Sequence, residues 1–138
     1  MITSHNIQSS ITGGYGPIAL GDDTWAGSGG SAIAGQIKVD GSGNTYITFV
    51  YNNWANTVDS GTISLNTQYE LYVKYVSGSN LTIELNGTSV YNGAVNSNSP
   101  RYLGIGIFDC GNDYNITYQY IGVAVDDSDE PSNCATLE

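Results

Sequence analysis

The sequence predicts a single all-β domain of antiparallel strands, and three observations predict it. Apolar and polar residues alternate at period two along most of the chain. Clusters of Gly, Asn and Ser separate the alternating runs. No window of helical spacing runs free of Gly, Asn or a β-branched stretch. At 138 residues the chain is long enough to bury one core, and a composition of 40% hydrophobic and 11% aromatic residues supplies it. The expected division is a domain over 1–130 and a tail over 131–138, tethered through Cys134 and closing on Leu137-Glu138, which reads as an expression remnant.

In chain order, 7–12 and 17–20 are candidate strands and 22–30 a loop. Ile37 and Val39 alternate with Gln36, Lys38 and Asp40. The four residues Gly41-Ser42-Gly43-Asn44 then turn the chain into a strand over 46–51. Residues 52–56 make the next turn, before a short strand over 57–65. From Tyr69 the pattern is sharpest: Tyr69, Leu71, Val73 and Tyr75 face one way, and Glu70, Tyr72 and Lys74 the other. Leu81, Ile83 and Leu85 repeat it, and Asn86-Gly87 carries the type I′ signal before a strand over 88–91. Two more strands are expected over 102–108 and 115–125, with Gly104, Gly106 and Gly122 marking close approach or a bulge. Short strands at a spacing of roughly 8–12 residues indicate a sandwich or a barrel.

Charge narrows the partners. Thirteen acidic residues against three basic ones give a net charge of -10, and Lys38, Lys74 and Arg101 are scattered. Such a field repels phosphate backbones and anionic lipid, so neither nucleic acid nor an anionic membrane is an expected partner. Only 12% of residues are charged, so solubility rests on Asn, Ser, Thr and Gly, a composition associated with extracellular and cell-surface proteins. The opening MITSHNIQSS lacks a basic region and an apolar stretch, so any leader is expected to have been removed. In that compartment Cys110 and Cys134 are expected to form a disulfide that staples the tail, the alternative being two free thiols.

Three pieces, LNTQYELYVKY over 65–75, SGSNLTIELNGTSVYNG over 77–93 and ITYQYIGVAV over 116–125, together with segment 35–93 as a whole, resemble the laminin-G and concanavalin A-like jelly-roll superfamily. The resemblance implies a two-sheet antiparallel jelly-roll sandwich with a concave and a convex face. Glycan binding or adhesion is the use it implies most often, and glycoside hydrolysis occasionally. The function must then come from the site itself.

Hydrolysis of a glycoside needs two carboxylates roughly 5–9.5 Å apart. The alternating acidic array of jelly-roll hydrolases is missing, and Glu70 and Glu84 read as isolated acids on a solvated face. Val58-Asp59-Ser60-Gly61-Thr62 looks like an aspartic-protease signature, with Tyr102-Leu103-Gly104 as its companion. That mechanism needs two such aspartates sharing a proton, and one copy would require a homodimer. Asn56 also stands where an apolar residue is expected, and Asp-Ser-Gly is an ordinary turn. His5 is the sole histidine, and the glycine run at 27–30 has no lysine behind it, so neither a nucleophile-histidine pair nor a phosphate loop is supported. No catalytic residue is assigned.

Two binding chemistries remain. If the first and last strands lie side by side, as in jelly rolls, Asp22, Asp23, Asp126 and Asp127 would converge on a structural Ca2+; four solvated acids are the alternative, and no other cofactor is expected. Sugar binding needs planar aromatics with amides beside them. Trp25 and Trp54 lie in Gly/Asn-rich loops, and Tyr51, Asn52, Asn53, Trp54 and Asn56 form the most lectin-like cluster, although each Trp reads equally well as a plug for one end of the sandwich. Asn80, Asn86 and Asn115 each open an N-glycosylation sequon. The expectation is therefore a non-catalytic carbohydrate-binding or adhesion module, of open oligomeric state, whose partner is a glycan or a surface protein. The alternative is a structural domain of a surface layer, filament or virion, and a hydrolase stands third.

Overall fold

The structure is a computed structural model and describes residues 2–6, 14–21, 31–97, 100, 102–105, 108–109 and 113–123. Among these residues there is no helix, and hence none long and apolar enough to cross a membrane. The strands are β1 (Ile2–Asn6), β2 (Gly14–Gly21), β3 (Ser31–Val39), β4 (Thr45–Tyr51), β5 (Asn56–Asp59), β6 (Leu71–Val76), β7 (Asn80–Leu85), β8 (Thr88–Ala94), β9 (Tyr102–Gly104), β10 (Phe108–Asp109) and β11 (Asp113–Ile116). The larger sheet runs in the order β10-β2-β3-β4-β5, with β9 also on β2; β6-β7-β8 form a three-stranded sheet, and β1 pairs with β11. Every pairing is antiparallel. The result is a sandwich-like all-β fold, as the alternation predicts.

The two sheets meet through one apolar core. Ile33, Ile37, Ile47 and Phe49 from the larger sheet cluster with Leu81 and Ile83 from the smaller, and Tyr69, Leu71, Val73 and Tyr75 pack against them. These are the residues that alternation places inward on β6 and β7. Burying each such aliphatic or aromatic side chain stabilises the fold by roughly 1.5–3 kcal/mol. Asn86 and Gly87 both take positive φ, 52° and 70°, the geometry a type I′ turn requires. The Asn86 side-chain oxygen accepts the Glu70 N–H, so this turn also anchors the start of β6.

Sequence and structure part at strand ends. The strand expected over 57–65 stops at Asp59, because Ser60 turns its hydroxyl into the sheet, accepts the Ile47 N–H at 2.9 Å and donates to the Gly61 carbonyl. Ile63 then returns only as an isolated bridge to Thr45. The strand expected over 88–91 extends to Ala94. A register shift on β8 sets Ser89 opposite Glu84 and Tyr91 opposite Ile83, so the neighbours Val90 and Tyr91 both pack on the core. Gly93 leaves room there for the Tyr91 side chain, since a Cβ would lie 2.7 Å from the Tyr91 hydroxyl and the ring would have to shift. The strand expected over 102–108 is two pieces, β9 and β10, laid in one continuous register along the same edge of β2. The last strand ends at Ile116, short of the 125 expected, and its pairing with β1 sets the first and last strands side by side.

The central strands of the larger sheet, β3 over 33–37 and β4 over 47–51, are buried on both faces. On the face turned away from the three-stranded sheet, Ala19, Ala34 and Val50 form a second cluster with Trp54 packed against it, and Gln36 and Thr48 beside them are also buried.

Candidate functional site

Among the described residues the lectin-like cluster is a tight turn between β4 and β5. Tyr51 pairs with Asn56, and the Ala55 N–H donates to the Asn52 carbonyl at 3.2 Å, closing the four residues between them. Asn52, Asn53 and Trp54 take φ values of 54°, 56° and 68° in succession. Asn tolerates that left-handed conformation, but a tryptophan there costs on the order of 1–2 kcal/mol. Packing of the Trp54 side chain over Ala19, Ala34 and Val50 offsets the cost, and the small side chains of the two alanines make the room.

Side-chain amides tie this turn to its neighbours. Asn52 donates through Nδ2 to Asn56 Oδ1 at 3.0 Å and accepts the Asn96 N–H through Oδ1 at 2.8 Å. The Asn96 carbonyl in turn accepts the Tyr75 hydroxyl and the Gly78 N–H. Three segments, the β4–β5 turn, the β6–β7 turn and the stretch after β8, are thereby held at one end of the molecule. Nothing in the alternation singles out Asn96; only its place after a strand, among other asparagines, hints at a turn role.

The members of the cluster differ in what they offer. Asn53 and Asn56 are exposed, Asn52 and Trp54 are half-buried, and the Trp54 indole nitrogen is buried. Tyr51 retains 8% of its exposure, and its ring sits 4.8 Å from that of Tyr91, tilted by 42°. The hydrogen bond with Tyr91, together with burial, pushes the Tyr51 phenol up to about 12. Tyr51 thus braces the turn from beneath, while Asn53, Asn56 and the open part of Trp54 face outward.

Comparison of the chain with protein-family models, curated proteins and solved structures finds no match. The site therefore rests on its own geometry.

Trp25, Asp22, Asp23, Asp126, Asp127, Cys110 and Cys134 lie outside the described residues. Among the described residues no three His, Cys, Asp or Glu side chains gather as metal ligands would. Of the sequons, Asn80 is half-buried and spends its Nδ2 on Thr82 Oγ1 and Asn92 Oδ1, Asn86 stands exposed on its turn, and Asn115 lies in β11. Asp59 is exposed at the end of β5 and accepts the Thr48 hydroxyl at 2.6 Å, while Ser60 is spent on the backbone. Glu70 is exposed just before β6 and Glu84 half-buried on β7.

Proposed function

We propose that this chain is a non-catalytic carbohydrate-binding or adhesion module that works outside the cell on a jelly-roll sandwich. Its contact surface is the β4–β5 turn. The observation that carries this reading is the pinned turn itself. Three successive left-handed residues hold a half-buried tryptophan beside the exposed amides of Asn53 and Asn56, and the turn is braced from below by Tyr51. Backbone strain kept in place by the surrounding packing is a mark of sites built to present something. An indole edge with neighbouring amides suits a neutral sugar, to which the low charge of the chain offers no barrier.

The alternative, a structural domain of a surface layer, filament or virion, draws on the other half of the same observation. The buried indole nitrogen and the packing over Ala19, Ala34 and Val50 are what a plug requires. A glycan array probed with the folded chain and with Trp54→Ala and Asn53→Ala/Asn56→Ala separates the two. Glycan binding lost in both variants while circular dichroism and urea unfolding show each still folded supports the module, a control needed because Asn56 also accepts the Asn52 amide and Asn53 holds a positive φ. No glycan retained by the parent chain, or binding indifferent to both variants, overturns it and leaves the structural role. The disulfide of Cys110 with Cys134 and a Ca2+ at Asp22, Asp23, Asp126 and Asp127 belong to the same extracellular reading, and mass analysis with and without reductant tests the first.

A further inference from the structure

Gln36, Thr48 and Asp59 stand opposite one another on β3, β4 and β5, forming one row across the larger sheet. Directly opposed residues of antiparallel neighbours set their Cβ atoms roughly 4.5–5.5 Å apart and project to the same face. A carboxamide, a hydroxyl and a carboxylate are therefore in sequence across adjacent strands. Gln36 retains 3% of its exposure and Thr48 2%, on the face turned away from the three-stranded sheet. The Thr48 hydroxyl already donates its proton to Asp59 Oδ1 at 2.6 Å, a short bond of the charge-assisted kind.

This is the layout of an activated nucleophile next to an acyl group. A hydroxyl is a weak nucleophile until a base is placed on its proton, and Asp59 is so placed. A carboxamide is a poor acyl donor in water, but fixed juxtaposition raises the effective concentration of the attacking group by orders of magnitude. Burial of Thr48 and Gln36 keeps bulk water from competing and from hydrolysing the product.

The geometry points to an intramolecular ester between Thr48 Oγ1 and Gln36 Cδ, formed by the chain itself. Asp59 takes the Thr48 proton as Oγ1 bonds to Cδ. The tetrahedral centre collapses with cleavage of the Cδ–Nε2 bond, and Asp59 returns the proton to the leaving nitrogen, which departs as ammonia. No oxidation state changes and no co-reactant is consumed. The bond fixes the register of β3 on β4 covalently, and it does not depend on what the β4–β5 turn binds.

Intact mass spectrometry of the folded chain tests it. The expected result is a chain lighter than its sequence by one ammonia. Trypsin should then leave peptide 1–38, which carries Gln36, joined to peptide 39–74, which carries Thr48, with fragmentation placing the link on those two side chains. Asp59→Asn and Thr48→Val should both return the full sequence mass. Asp59 is exposed, so its variant stays folded and keeps the test decisive if Thr48→Val does not. Hydroxylamine should sever the link. A folded parent chain at full sequence mass overturns the proposal, as does an ammonia loss that survives in Asp59→Asn or that maps to a succinimide at Asn86-Gly87.

Discussion

Strand β4 is buried at every position from Ile47 to Tyr51, whereas β6 exposes Tyr72 and Val76 and keeps Leu71, Val73 and Tyr75 half-buried against the core. The difference is one of layers. The three-stranded sheet has one face on the core and one in solvent. The larger sheet has the core on one face and, on the other, the cluster of Ala19, Ala34, Val50 and Trp54. A strand of the first kind takes its stability from alternate side chains. A strand of the second kind has no tolerant face, so size matters at every residue.

The sharpest way to break the comparison is at its centre. Phe49 is fully buried, and Phe49→Ala should cost about 3–5 kcal/mol through lost burial and the cavity left behind. Val76→Thr, on the open face of β6, should stay within about 0.5 kcal/mol. Urea unfolding of both variants checks the pair, and similar costs at the two sites would refute the layered picture.

The same contrast explains what could be read in advance. The inward set of β6 and β7 and the Asn86-Gly87 turn were legible because solvent on one face imposes period two, and because a two-residue turn with positive φ has few sequence solutions. The roles of Gln36 and Thr48 were not legible. Both sit at polar positions of an alternating run, where the pattern says solvent, and only a second covered face makes them interior. Of the candidate site, the turn itself was readable from its asparagines. The division of labour within it was not, since a tyrosine at a strand end looks the same whether it faces a ligand or, like Tyr51, pairs with Tyr91 in the core. The place where β5 stops was equally hidden, because it depends on a serine hydroxyl reaching a backbone amide thirteen residues away.

That serine gives the next test. Ser60 is buried, and removing its hydroxyl strands the Ile47 N–H between two packed layers. A buried donor left without its partner costs about 1–3 kcal/mol, so Ser60→Ala should lower stability by that amount. Ser89→Ala, at an exposed position on β8, should be close to neutral. Amide hydrogen exchange at Ile47 should accelerate in Ser60→Ala beyond the global change. Unchanged protection there would show that this hydroxyl does not hold the strand end.

The smallest effect probes the seam between the two sheets, where Tyr51 of the larger meets Tyr91 of the smaller. Tyr51→Phe removes one hydrogen bond and should cost about 0.5–1.5 kcal/mol near neutral pH. Its pH dependence is more telling than its size. The Tyr51 phenol has an ordinary value of 10.0 and is raised to about 12 in the folded chain, first by the bond with Tyr91 and then by burial. The unfolded chain therefore gives up this proton first. The contribution is complete below the unfolded value and is lost as pH climbs from 10.0 towards about 12. The stability gap between the parent chain and Tyr51→Phe should accordingly be constant up to pH 10.0 and close above it, the tyrosines that do not touch Tyr51 cancelling in the difference. A gap that persists unchanged through that window would mean that the two rings share van der Waals contact without the bond, and that this pair of tyrosines joins the sheets by packing alone.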